Sequence, residues 1–500
     1  MVTDDNYSEV NTFADNLPSG FCSKKVKKQL QIERIITDIR FWILVIFVIR
    51  LIGITNPPLE TGHNWRQSTV TMVSRNFYEL DNNLFYPRID IAGDKTGITG
   101  MEFPLFNYLI YLASLVFGYE HWYGRLINLI VSSLGLLFFY KLVKKKFSEQ
   151  ISFYSTIVLS VSVWFAFSRK IMPDTFAMSL IIASIYYGVC YFEVKSWSKK
   201  IIYLLIYIVL MALGGLSKLP VVYLLIVFAM FIFNRKIIVQ EKLVFILSSF
   251  AGLIPIIYWY FFWVPYLVKE YDFWHFFMGK NFVVGIREII ENLPQTFNRF
   301  YFTALKFTGF AAFLFGLIFS IIKKDKKILI LFSLTFLSFC AVIFKAGFAF
   351  PHHNYYIIPF VPVMALIAGY GLSQIKNLKI VLIALIVISI EGIADQQHDC
   401  RIKKDNLRLI NLEKDLDKFS NRNDLIIINS GSYPTPMYFA HRKGWINTNE
   451  MIENQKYINE LVDRGLKYIV ILKKSFGKEI VLEHYKKEFD NEDYCIYKGD

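Results

Sequence analysis

The chain has 500 residues, of which 54% are hydrophobic and only 19% charged, below the roughly 25% charge of a soluble globular protein. Its formal net charge of +14 does not indicate nucleic acid. The lysines and arginines cluster between long apolar blocks, as a positive-inside bias places them, so membrane lipids are the expected partners and nucleic acid is excluded.

Residues 1–40 are polar and carry the run Lys24-Lys25-Val26-Lys27-Lys28 ahead of the first apolar block. No cleavable signal is visible, so this segment reads as a cytoplasmic N-terminus followed by an uncleaved anchor. Residues 41–395 then read as an all-α polytopic membrane domain. Apolar blocks fall at about 41–55, 125–143, 150–167, 174–193, 200–216, 219–234, 241–262, 300–322, 327–345, 355–373 and 378–395, about eleven transmembrane helices. The block 105–117 is shorter and carries Asn107, Tyr108, Tyr111 and Ser114. It reads as a juxtamembrane helix inside a long first extracytoplasmic loop, 56–124. Charge supports this choice. With 105–117 outside, the basic connectors 141–146, 195–200, 234–236, 323–327 and 373–379 share the side of the basic N-terminus, which leaves the C-terminus outside. Trp259, Trp263 and Trp274 fit an interfacial aromatic belt.

From 396 to 500 the chain becomes charged and reads as a small α/β extracytoplasmic domain. Asp424–Asn429 (DLIIIN) and Leu466–Leu472 (LKYIVIL) pattern as buried strands, and 449–463 as an amphipathic helix ending at Gly465. The stretch from Tyr433 to Trp445 fits either a lid that contacts an acceptor or a plain αβ loop. The five cysteines, Cys22, Cys190, Cys340, Cys400 and Cys495, form no CxxC pair and no metal-type spacing. Cys400 and Cys495 share the tail and are able to pair if it is exported.

Ionisable residues beside spans are expensive and need a reason. Here they collect on the outer side: Glu60, His63, Arg66 and Gln67 in the first loop, Glu102 before Phe103-Pro104, Arg169, Lys170 and Asp174 in the next turn, Lys218 after that, and His352, His353, Tyr355 and Tyr356 later. A carboxylate serves as general base toward a hydroxyl, and Arg and Lys hold a phosphate leaving group. Together these are the parts for moving a sugar off a lipid phosphate. Each has a plainer reading. Glu60 and His63 suit turn chemistry, Trp65 an interface anchor, and Glu102 and Asp174 helix N-terminal acids. Arg169 and Lys170 suit headgroup contacts, Lys218 a solvated hairpin, and the histidines a satisfied loop.

The series resembles the GT-C superfamily of membrane glycosyltransferases, in its dolichyl-phosphate-mannose protein mannosyltransferase-like group with the bacterial aminoarabinose and lipopolysaccharide-core transferases. The resemblance spans about residues 40–375. It rests on Glu60 with Trp65-Arg66-Gln67, Glu102-Phe103-Pro104, Val116-Phe117-Gly118 with Gly124-Arg125-Leu126, Met172-Pro173-Asp174, Gly215-Leu216-Ser217-Lys218, and His352 or His353 with Tyr355-Tyr356. The family's first-loop base is usually Asp. This chain has none between Thr55 and Arg75, leaving Glu60 and His63 as candidates. The resemblance implies a GT-C-like bacterial inner-membrane enzyme that takes a lipid-linked sugar donor, a polyprenyl phosphate, and transfers the sugar with inversion to an envelope glycan, lipid or protein acceptor. Glu60, His63 and Asp174 would be catalytic, and Arg66, Gln67, Glu102, Arg169, Lys170, Lys218, His352, His353, Tyr355 and Tyr356 would bind substrate. No cofactor is required by that resemblance, and a divalent cation near Glu102 stays open. A transporter or flippase of lipid-linked anionic glycans is the alternative, although midplane polar sites and inverted repeats are missing. A plain membrane anchor for the tail would not need so many outward charges.

Overall fold

The computed structural model describes residues 35–273, 279–473 and 480–499. The basic N-terminal run, Cys22 and Trp274 lie outside the described residues. After α1 (Ile39–Arg50), the first loop contributes α2 (Asn64–Glu79) and α3 (Leu105–Phe117). The bundle continues through α4 (Tyr123–Lys146), α5 (Glu149–Val161), α6 (Pro173–Glu193), α7 (Trp197–Ser217), α8 (Val239–Tyr258), α9 (Lys306–Ile322), α10 (Lys326–Ala346), α11 (Val361–Ser373) and α12 (Leu378–Asp395). Local chemistry sets several ends. Ser148 and Asp325 accept from first-turn amides of α5 and α10. Pro173 opens α6, where its missing N–H leaves no bond unmade. The cations Lys144, Lys145 and Lys146 close α4 against the negative end of its dipole.

The chain is mostly helical and an integral membrane protein. Among the described residues, six helices are long and apolar enough to cross a membrane: Tyr123–Lys146, Pro173–Glu193, Trp197–Ser217, Val239–Tyr271, Lys326–Ala346 and Asn354–Ser373. A seventh is broken, with Leu293–Ala304 and Lys306–Ile322 meeting at 94°. Four of the eleven sequence blocks are shorter or more polar than this. The helix α1 has 12 residues, and α5 has 13 before Ser162 interrupts it. The block at 219–234 is a ten-residue 3-10 helix, Leu219–Phe228, followed by Ala229–Ile232, and α12 carries Lys379, Glu391 and Asp395. For these four, crossing remains a sequence expectation. The α6 span and the Asn354–Ser373 span are 78% and 89% buried against 22% for α10, so α6 and α11 form the bundle centre and α10 its lipid-facing edge. The 105–117 block is α3, 13 residues whose buried side packs Phe106 and Ile110 against Val70 of α2.

The tail folds as a five-stranded sheet in the order β2-β1-β3-β5-β4, from β1 (Leu425–Ile428), β2 (Gly444–Ile446), β3 (Leu466–Leu472), β4 (Lys487–Asp490) and β5 (Tyr494–Lys498). The first three strands are parallel and the last two antiparallel. Both faces are covered, since Ile426 and Ile428 enter one apolar cluster and Ile427 another, as a parallel sheet requires. The expected helix at 449–463 is two pieces, Asn449–Ile452 and Gln455–Asp463, because Asn454 caps the second. Cys400 and Cys495 are both free, with Cys495 buried in the sheet core.

This sheet is joined to the first loop. Glu60 bridges Ile402, Thr61 N donates to the Arg401 carbonyl at 2.8 Å and Gly62 N to that of Asp399 at 3.1 Å. Arg75 pairs with Asp90 at 2.9 Å and lies over the Tyr438 ring at 4.6 Å. The 433–445 stretch therefore packs on α2, with Ser68 Oγ 2.9 Å from Thr435 Oγ1.

Candidate active site

The helix α2 is mostly polar, with Val70, Val73 and Phe77 packed into apolar clusters, yet nearly all of it is buried, because it runs between tail and bundle. His63 starts it in a left-handed conformation, φ 62°, a strained geometry for a residue with a Cβ. A Cβ on Gly62 before it would lie 2.2 Å from Lys170 Nζ, so a larger residue there would push the lysine tip aside. One turn on, Arg66 reaches across to Glu102 and pairs with it. The Glu102 segment is fixed against the end of α7. Phe103 N donates to the Leu216 carbonyl at 3.2 Å, and Trp259 Nε1 to that of Met101 at 3.0 Å. Trp259 is therefore a buried clamp and not part of an interfacial belt.

Lys218, directly after α7, sits 3.6 Å from Glu102 and 3.3 Å from Asp174 in the first turn of α6. The result is a continuous chain, Arg66–Glu102–Lys218–Asp174, built from four separated segments. Lys218 Nζ lies 5.4 Å from the Tyr355 ring centre. A small pocket here is lined by Asp174, Lys218, Pro220, Val221, Tyr355 and Tyr356 among others. Glu102 Oε2 and Asp174 Oδ2 are buried and accept no hydrogen bond within the described residues. Burial works to raise the Glu102 carboxyl, but Arg66 and Lys218 outweigh it and hold it at about 2. Burial opposes the Lys218 charge, yet Asp174 and Glu102 keep that amine above its usual value.

His63 flanks this chain, its ring 5.3 Å from both Tyr355 and Phe167. Burial, and then Lys170, push its imidazole down to about 3, so it is neutral at physiological pH with an unbonded Nδ1. His353 stacks on Tyr355 at 5.4 Å, and His352 packs on Phe348 at 3.9 Å. Arg299, which no sequence signal singled out, donates to the Pro351 carbonyl at 3.1 Å beside the two histidines.

The other predicted residues form a second cluster. Glu60 is fully enclosed, 3.0 Å from Arg169 and 3.4 Å from Arg125. Arg125 also donates to Gln67 Oε1 at 3.3 Å, and Lys170 donates to the Gly62 carbonyl at 2.8 Å and faces Asp399 at 3.4 Å. Glu60, Gln67, Arg169 and Lys170 are thus not brought to the Asp174–Lys218 pocket. No group of three or more His, Cys, Asp or Glu that would hold a metal ion occurs among the described residues. Glu102 and Asp174 are each already paired with a cation, a donor set that does not favour a divalent ion.

Residues 101–259, which include Glu102, Asp174 and Lys218, match the family model described as dolichyl-phosphate-mannose-protein mannosyltransferase. No curated protein matches the sequence. Among solved structures, ArnT from Cupriavidus metallidurans bound to undecaprenyl phosphate is similar with a TM-score of 0.57 at 9% identity, over 92% of this chain and 98% of that one. The oligosaccharyltransferase of Archaeoglobus fulgidus in its apo form gives 0.56 at 12%, over 86% and 69%. AglB from the same organism, in complex with an inhibitory peptide and a dolichol-phosphate, gives 0.54 at 12%, over 86% and 69%. At these identities the structural likeness establishes the fold.

Proposed function

We propose a reaction for a chain that belongs among the mannosyltransferase-like GT-C membrane glycosyltransferases: transfer of a sugar from a polyprenyl-phosphate donor to an acceptor hydroxyl at the extracytoplasmic membrane surface, with inversion. One observation carries it. Two cations and two acids alternate in a buried row, and at its end Asp174, with Oδ2 free of any hydrogen bond, lines the pocket of Lys218, Tyr355 and Tyr356.

Asp174 is the general base. Its free Oδ2 takes the proton of the acceptor hydroxyl while that oxygen attacks the anomeric carbon. The bond from that carbon to the donor phosphate breaks, and the electron pair leaves on the phosphate. Lys218, Arg66 and Arg299 meet the developing charge, Lys218 as a point charge and the arginines as forks. Glu102, held at about 2, is too weak a base for that task and instead spaces Arg66 from Lys218. Neutral His63 accepts a hydrogen bond from the acceptor through Nδ1. Glu60 lies sealed between Arg125 and Arg169, which argues against its contact with any acceptor.

The test is transfer by the full chain in proteoliposomes that contain a polyprenyl-phosphate sugar. Asp174→Asn should lower turnover about 10³-fold, within the range of a lost general base, with a near-native melting temperature. Product NMR should show the opposite anomer to the donor. Undiminished turnover in Asp174→Asn would sink the assignment. Cysteines introduced beside Asn56 and beside Asp174 should both react with an impermeant reagent from outside intact cells, and labelling from opposite sides would rule out the site.

A further inference from the structure

At the end of the bundle away from the proposed active site lies a second, different cavity. The helix α4 runs from Tyr123, beside the Glu60 cluster, to Lys146 at this end, 24 residues and so about 36 Å at the helical rise. The cavity has about 750 Å³ of empty space, part of it open at the mouth, between α4, α6, the 219–232 segment, α10 and α11. Its walls are apolar, including Phe139, Ile185, Val227, Leu331 and Val363. The exceptions are Lys146 and Lys327, which line the same cavity. Lys327 donates to the Lys146 carbonyl and lies 4.1 Å from the Phe147 ring centre. Lys146 lies 4.8 Å from the Phe231 ring centre. Lys146 is balanced by Glu193 at 3.0 Å, whereas no carboxylate among the described residues pairs with Lys327.

We propose that this cavity holds one acyl chain of an anionic glycerophospholipid, whose phosphate sits at Lys327 and Lys146. The apolar walls match a hydrocarbon chain, and each CH₂ taken from water is favourable. A chain alone would not select its lipid. The pair of cations at the mouth does, because anionic headgroups are drawn to Lys and Arg at a membrane surface while zwitterionic ones are not. Each ammonium lies over an aromatic ring and uses one protein acceptor, Lys327 the Lys146 carbonyl and Lys146 the Glu193 carboxylate, so of its three donors some remain for a phosphate. The occupant differs from the glycosyl donor, whose phosphate belongs at the other end of the bundle. The inference stands whether or not the transferase reading does.

The full chain, purified in mild detergent and mixed with equal amounts of phosphatidylglycerol and phosphatidylcholine, can be read by native mass spectrometry. The expected result is a single retained phosphatidylglycerol. Each of Lys327→Gln and Lys146→Gln should reduce its retention about fivefold, the effect of one surface cation on an anionic lipid. Filling the cavity with Val227→Trp should abolish retention, with phosphatidylcholine adducts unchanged throughout. Equal retention of the two lipids by the wild-type chain overturns the proposal, even if every variant misfolds. So does indifference to both lysines, and so does an adduct that is only polyprenyl phosphate. Sugar transfer, assayed on the same samples, reports separately on the active site.

Discussion

Two buried ion clusters border the first loop, and they differ in one respect. Around Glu60, the acid contacts two guanidiniums, Arg125 and Arg169, and those guanidiniums spend further donors on the carbonyls of Ile52, Gly53, Ile54 and Pro57. That cluster ties loop to bundle. Around Lys218, two acids share one ammonium, and Asp174 and Lys218 line a pocket with Tyr355 and Tyr356. Burial is common to both clusters, and so is an acid oxygen without a hydrogen bond, Glu60 Oε2 in one and Glu102 Oε2 and Asp174 Oδ2 in the other. Glu60 Oε2 faces only Arg125, at 3.4 Å, whereas Asp174 opens onto space that a ligand fills, and that access marks the site.

The sharpest way to break this contrast is Glu60→Ala. Removing the acid leaves two enclosed arginines without an ion partner, a change that typically costs about 3–5 kcal/mol. Thermal denaturation should show a large fall in melting temperature, while sugar transfer per folded molecule survives. A variant that melts normally and loses transfer would reverse the roles assigned to the two clusters. Lys218→Met tests the opposite side. It removes a charge-assisted contact worth about 1.5–3 kcal/mol to a phosphate, so kcat/KM for the lipid donor should fall about 10- to 100-fold. Stability should fall too, because Asp174 loses its ion partner, but by less than in Glu60→Ala, since Glu102 keeps Arg66. Steady-state kinetics over donor concentration separates this outcome from a folding defect.

Acid separates the clusters in another way. His63 is held at about 3 against 6.5 when unfolded, and Glu102 at about 2 against 4.5. In each case the unfolded chain binds the proton first, so stability rises with pH across the window between the two values. Both contributions are therefore complete above about 6.5. As pH falls, the His63 contribution declines first, by on the order of 1–2 kcal/mol down to pH 5, and that of Glu102 follows below 4.5. Denaturant midpoints at pH 7 and pH 5 should differ in the wild-type chain, and the difference should shrink in His63→Asn. An unchanged difference in that variant would show that His63 is not the titrating group.

How far the sequence carried this reading depends on whether a residue's partners are local. The long apolar blocks announce themselves, and seven of them appear as spans or a bent span. The strand Leu466–Leu472 was legible to the residue because an apolar run broken only by Lys467, between Gly465 and a charged turn, has few alternatives. Strands Gly444–Ile446 and Lys487–Asp490 were not, being short and half-exposed. At the site, sequence spacing grouped Glu60 with His63 and Arg66, three residues of one loop. In space they part, because the turn at Gly62 and His63 sends the preceding acid toward α4 and the following helix toward Glu102. Arg299 had no motif around it at all and joins the site only through the break between Leu293–Ala304 and α9. Tertiary placement, unlike periodicity, leaves no mark on a single sequence.

The smallest predicted effect concerns the seam between tail and loop, where the 433–445 stretch fitted both a lid and a plain connection. Tyr438 makes two contacts with the first loop: its ring lies under Arg75 of α2 at 4.6 Å, and its hydroxyl is 3.0 Å from that of Tyr119, just after α3. Tyr438→Phe deletes only the hydroxyl, so stability should fall by about 1 kcal/mol, the worth of one net hydrogen bond, with KM for the acceptor unchanged. Tyr438→Ala also removes the ring and should cost more. If Tyr438→Phe instead raises the acceptor KM and leaves melting untouched, the stretch meets substrate. The tail would then belong with the pocket at Lys218, although its contacts with the first loop are of the tying kind seen around Glu60.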